Sequence, residues 1–403
     1  MTLIEHILGN WDKTVRLQRE GDDRLVGLPY EYYVPSVTGM FQEMYYWDTY
    51  FTSRGLYLSG REALVKSAAE DMFYLVEKFG YMPNGNNLGL LGRSQPPVLS
   101  EMVKDLYGIY QDRLWLKMAY DVLKKEYGFW MNRRLTPTGL NQYGFNMDEC
   151  RDIKPFAEMI RERNRGLDLS GRSDEDVVAN FMCDAESGWD FNPRCEYYQT
   201  ECVYVDLNSL LYGMERNMAF FAGELDNGEA SVWQKRAEER KKKMQTLLFD
   251  GEVYKEYNFV KNTYSPVMSS AAFFPLWMGV ATEEQAEATV RNLPRIERAF
   301  GVACCEQIER PVKHQWDYPN GWAPQHYAVV HGLDRYGYRE EAERIARKYV
   351  RTMEALYEQT GALWEKYNVE EGSNNVNDEY KMPQMLGWTA GIYLDFKRHL
   401  KEW

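Results

Sequence analysis

Apolar positions recur along this chain with the period of a helix rather than the alternation of a strand. After Ser59-Gly60, residues Leu64, Ala68, Met72, Leu75 and Phe79 share one face, and Gly80 ends the run. Leu207, Leu210, Leu211, Met214, Met218 and Phe221 repeat the pattern up to Gly223. Between 230 and 250, Trp233, Ala237, Met244 and Leu248 form an apolar side, while Arg236, Glu239, Arg240 and Lys243 form a solvated one. Thr282 followed by Gln285 reads as a capping box. A further helix is predicted over 339–357, with a wide stripe of Ala342, Ile345, Ala346, Tyr349, Val350, Met353 and Leu356. No run of alternating strands occurs, and no Pro/Gly/Ser-rich linker divides two compositions. The pattern predicts one all-α domain over residues 1–403. The charge-dense stretch 150–178, broken by Gly166, Ser170 and Gly171, is expected to form a lid or an added helix pair. The connections at 29–50, 81–99, 182–206 and 310–327 are long and aromatic, and long ordered loops of a compact fold tend to carry function.

Composition narrows the function. Hydrophobic residues make up 44% of the chain, enough for a large core, and aromatics reach 15%, with 12 Trp and 30 Tyr. Most of these rings are expected to be core, but Tyr and Trp also offer flat faces and polar edges that suit sugar rings. A net charge of −13 repels phosphate backbones and offers no basic face to anionic lipid, so nucleic acid and membrane surfaces are excluded as partners. A small neutral sugar remains compatible. No stretch approaches the length of a membrane span, and the start MTLIEHILGNWDK lacks a signal-peptide pattern. Cys150, Cys183, Cys195, Cys202, Cys304 and Cys305 show no C-x-x-C pair, which reads as free thiols. On these grounds the chain is expected to be cytoplasmic.

The chemistry concentrates where Trp and a carboxylate adjoin. Trp47-Asp48, Trp189-Asp190 and Trp316-Asp317 each set an acceptor for sugar hydroxyls beside a stacking platform, and Trp364-Glu365-Lys366-Tyr367 adds a fourth such site. Hydrolysis of a glycosidic bond needs one carboxyl that keeps a proton for the leaving oxygen and one that is ionised. Asp190, between Trp189 and Phe191, has neighbours that would desolvate it and raise its pKa, as the acid requires. It could equally serve as a helix N-cap. Glu365 could equally form a surface ion pair with Lys366, and Asn84-Gly85 could exist for the turn alone.

The segments GMFQEMYYWDTYF (39–51) and QWDYPNGWAP (315–324) resemble the two signatures of the trehalases, glycoside hydrolase family 37. Between and after them, GYMPNGN (80–86), RSQPP (93–97), AESGWDF (185–191), VDLNSLLY (205–212), EKY (365–367) and GWTAG (387–391) follow the family order. Family 63 of the same clan is a more distant likeness. The resemblance spans residues 35–395. It implies an (α/α)6 barrel, inversion of the anomeric centre, and no metal or cofactor. Carried over motif by motif, it implies Asp190 as general acid and Glu365 as general base. Sugar contacts would fall on Trp47, Asp48, Asn84, Arg93, Gln95, Gly188, Trp316, Asp317 and Glu379. His314 and His326, which flank the second signature, are expected to be packed rather than catalytic.

The chain departs from the family at the sugar clamp. Met40 stands where trehalases carry an arginine, Lys154-Pro155-Phe156 is the nearest counterpart of a basic Arg-Pro-Glu element, and 370–375 replaces a glycine-rich lid. Each charged hydrogen bond lost from a sugar costs about 1.5–3 kcal/mol. The catalytic pair is therefore expected to persist while second-sugar specificity is relaxed. Glucosylglycerate, mannosylglycerate or another short α-glucoside are the alternatives to trehalose. Readings of a different class are a sugar epimerase, which would want paired histidines in a chain with only five His, and a non-catalytic sugar-binding protein, which would not need both carboxylates.

Overall fold

The structure, a computed structural model, describes residues 1–150 and 152–403. Six helices form an inner ring: Tyr46–Leu58, Leu99–Tyr110, Val205–Glu224, Phe274–Met278, Ala323–Arg335 and Gly387–His399; all are buried on nearly every side except Leu99–Tyr110, which keeps one face exposed. Neighbours in this ring pack on one another in chain order, and the last returns to lie along the first. Glycines let the ring close there. A Cβ on Gly55 would stand 2.9 Å from the Gly391 Cα, and one on Gly391 would stand 2.4 Å from the Phe51 carbonyl.

The outer helices are the amphipathic ones. Glu62–Phe79, Arg113–Arg133, Ala230–Leu247, Glu283–Arg291 and Arg339–Thr360 each follow an inner helix, and all but Glu283–Arg291 pack on the one they follow. The predicted elements fall among these, except the one through Leu207 and Phe221, which is the inner helix Val205–Glu224. Glu62–Phe79 is capped by Gly80 at φ 79°, Glu283–Arg291 carries the Thr282/Gln285 capping box, and Arg339–Thr360 buries the whole predicted stripe. Among the described residues, strands are only two or three residues long. The fold is thus an all-α barrel of paired helices, as the resemblance implied.

The stretch 150–178 contributes Lys154–Arg163 and the first part of Asp174–Ser187, two helices that pack together. Arg151 lies outside the described residues. Ala157, Ile160, Leu169, Val177, Val178, Phe181, Met182 and Phe191 form a small core of their own beneath them, separate from the main one. This satellite core fixes both helices at one end of the barrel.

Candidate active site

Asp174–Ser187 ends on Gly188, whose φ of 77° gives a left-handed cap. A Cβ at Gly188 would stand 2.7 Å from the Trp47 ring, so glycine is required there by both backbone and contact. The chain then turns through Trp189 and Asp190. Trp189 stacks on Trp316 at 5.7 Å, and the Asn192 side chain donates to the Trp316 carbonyl at 2.7 Å, which ties this turn to the loop before Ala323–Arg335.

The strand Asn320–Trp322 pairs antiparallel with Lys366–Asn368, placing Trp322 opposite Lys366 and setting Glu365 beside the second signature. Trp316 and Trp322 stack at 3.8 Å and 5°, and the Trp388 indole donates to the Glu365 carbonyl at 3.2 Å. On the remaining side the Tyr45–Gly85 bridge brings 84–95 against the start of Tyr46–Leu58. There the Gln95 side chain accepts from the Trp47 backbone at 3.1 Å.

These segments enclose one cavity of about 240 Å³. Of the residues singled out from sequence, Asp190, Glu365, Trp47, Asp48, Asn84, Arg93, Gln95, Gly188 and Trp316 line it. Asp317 and Glu379 stand behind the wall. The Asp317 carboxylate turns away to accept from the His314 backbone and from Arg310, both at 2.8 Å. Glu379 accepts from Arg163 and from His314 Nδ1, the latter at 3.1 Å. Phe41, Tyr45, Arg163, Gln315, Trp322, Tyr380 and Trp388 also line the cavity. Met40 does not, and its side chain is exposed. Larger grooves of about 770 and 790 Å³ lie on the outer helices, but neither gathers tryptophans and carboxylates.

The carboxyls are held in different ways. Asp190 opens into the cavity with 24% of its side-chain surface accessible, yet the surrounding mass of protein dominates. Burial pushes its pKa up to about 6, Arg163 opposes that, and Glu379 reinforces it. Arg163 meets it at only 3.4 Å. Glu365 is 3% exposed and accepts from Lys366 Nζ at 2.8 Å and from the Tyr380 hydroxyl at 2.7 Å. Burial raises its pKa, and Lys366 and Tyr380 pull it back. Asp48 is pushed well above the usual carboxylate range by burial and by the nearby Glu365 charge. Arg93 has two guanidinium nitrogens, Nε and Nη1, that are buried and meet no partner in the protein.

The trehalase family model matches residues 3–401. The chain belongs to the trehalase family. Curated relatives named periplasmic trehalase, from Xanthomonas campestris pv. campestris, are 32% identical over 97% of this chain and 72% of their own length. One from Xanthomonas oryzae pv. oryzae is 31% identical over the same shares. The solved neutral trehalase of Saccharomyces cerevisiae superposes with a TM-score of 0.76 at 26% identity, covering 98% of this chain and 79% of that one. A family 63 mannosylglycerate hydrolase from Thermus thermophilus, solved with glucose, gives 0.68 at 18% identity over 91% and 96% of the two chains, a likeness of fold. The family member described here is accordingly a glycoside hydrolase on an (α/α)6 barrel.

The expectation of a cytoplasmic protein is corrected by these relatives, which are named periplasmic. It rested on the start of the chain and on the free thiols, and the thiols carry no compartment signal. Cys183, Cys195, Cys202, Cys304 and Cys305 are all buried. Burial pushes the thiols of Cys183, Cys195, Cys304 and Cys305 up, so they are poor thiolates in any compartment.

Proposed function

We propose that this trehalase-family enzyme hydrolyses α,α-trehalose with inversion, using Asp190 as general acid and Glu365 as general base. One observation carries the reading. These two carboxyls, 175 positions apart in sequence, line the same small, tryptophan-walled cavity and are held in opposite ways. Asp190, desolvated and loosely met by Arg163, holds a proton for the glycosidic oxygen. Glu365, bonded by a buried ammonium and a hydroxyl, is kept as the anion that takes a proton from water.

In the step itself, water attacks C1 as the bond from C1 to the bridging oxygen breaks. The Asp190 proton passes to that oxygen, and one proton of the water passes to Glu365, which gives two glucose molecules. Arg93, with its unpaired nitrogens, is suited to sugar hydroxyls. Because the acid meets the leaving oxygen, Arg163 beside it borders the second sugar. Met40, in place of the family's arginine, stands off the cavity, while Arg163 presents a guanidinium to it, and on this reading second-sugar specificity is altered.

Initial rates on trehalose, kojibiose, nigerose, maltose and glucosylglycerate test the substrate. Trehalose turning over no faster than the rest would reject it. A periplasmic site of action follows the named relatives, and fractionation of producing cells checks it.

A further inference from the structure

We propose that His314 is a positioning residue for Asp190, acting through Glu379 and Arg163 rather than on the sugar; this rests on Asp190 being the acid. His314 is 1% exposed and its place is fixed from behind. Its backbone N–H donates to Asp317, and Asp317 is locked by Arg310. The ring stands edge-on to Phe191, the residue after Asp190, with centroids 5.4 Å apart. Nε2 is buried and meets no partner among the described residues, so the one polar contact of the ring is Nδ1 with Glu379 Oε1 at 3.1 Å. A carboxylate only accepts, so Nδ1 carries the proton there. The Gln315 backbone N–H adds a bond to the same oxygen at 3.3 Å.

The other oxygen of Glu379 holds the Arg163 guanidinium, which lies 4.9 Å over the Phe191 ring and reaches Asp190 at 3.4 Å. One cation is therefore shared by two carboxylates, and the share taken by Glu379 keeps it at arm's length from the acid. His314 and the Gln315 amide are what hold Glu379 in place to take that share. Were Glu379 released, Arg163 could close on Asp190 and favour its anion, which has no proton to give. The other charged or titratable groups around this chain are Arg93 near Asp190, Asp184 beneath it, the Tyr380 hydroxyl facing Asp190 and Glu379, and Asp317 with Arg310 behind His314. None of them bonds to Oε1 of Glu379.

The test is the pH dependence of kcat and KM on trehalose for the purified full chain and its His314→Ala, His314→Gln and Glu379→Gln variants. His314→Ala is expected to move the descending limb of kcat to lower pH, with a loss of about tenfold above the limb that narrows in acid, and with KM changed less than about threefold. His314→Gln keeps an N–H for Glu379 and is expected to restore the limb. Glu379→Gln removes the competing charge without removing volume, so it is expected to move the limb the same way and stands in if the alanine variant does not fold. A limb that stays at the wild-type pH in both His314→Ala and Glu379→Gln overturns the proposal, even if kcat falls evenly at all pH. A limb that moves in His314→Ala and is not restored in His314→Gln overturns it too. Asp190→Asn, run beside them, separates this from the underlying reading: full activity there would remove the acid itself.

Discussion

The two walls of the cavity solve opposite problems. The Asp190 wall comes from a capped helix end and a satellite core, and its carboxyl has one long contact to a cation that is engaged elsewhere. The Glu365 wall comes from a short strand pair and a stack of tryptophans, and its carboxyl has two short contacts, one from the Tyr380 hydroxyl and one from a buried ammonium, Lys366, that it shares with Asp378. Burial raises both pKa values, so burial alone does not separate the roles. The donors do. On the proposed reading, desolvation with weak hydrogen bonding keeps the proton on Asp190, and at Glu365 the ammonium and the hydroxyl offset the desolvation.

The largest effect should come from removing either function. Asp190→Asn and Glu365→Gln are each expected to lower kcat by about 10²–10⁴-fold while trehalose still binds, as measured by steady-state kinetics beside calorimetric titration. Equal and full activity in either variant would erase the contrast. Next comes Tyr380→Phe, which deletes one charge-assisted bond to Glu365. A loss of about 1.5–3 kcal/mol predicts a drop of about 10–100-fold in kcat/KM, and the ascending limb should move to higher pH because the anion is less stabilised.

Arg163→Met sharpens the comparison from the other side. Arg163 holds the Asp190 pKa down, so its loss should carry the descending limb upward in pH, while weaker contact with the second sugar raises KM. In the unaltered enzyme that limb is expected to begin near pH 6, because the acid must be protonated and Asp190 is pushed up to about 6. The profile of kcat/KM against pH measures both. The smallest effect is predicted at Met40, exposed and off the cavity, where alanine should change kcat/KM less than about twofold.

Legibility in the sequence followed burial. Outer helices such as Arg339–Thr360 have one dry and one wet face, and their period is plain. The inner helix Tyr46–Leu58 is dry nearly all round, so it has no period to read, and 29–50 looks like a loop although a helix starts inside it. Trp-Asp dipeptides located the site, yet the three look alike and are used differently. Asp48 and Asp190 face the cavity, whereas Asp317 is spent on the His314 turn and Arg310. Glu365 satisfies both of its sequence readings, since it pairs with Lys366 and lines the cavity, but the pair is buried rather than on the surface. Arg163 was hidden in a run of charges, MIRERNR, where nothing local separates it from Arg161 or Arg165. Only the packing of Lys154–Arg163 onto Asp174–Ser187 points it inward.

The division of labour between the walls is tested most directly by the anomers released from trehalose, followed by proton NMR before mutarotation mixes them. Direct attack by a water that Glu365 activates predicts α-glucose and β-glucose in equal amounts at the earliest times. Release of α-glucose alone would mean that a carboxylate had bonded to carbon, and would contradict the account.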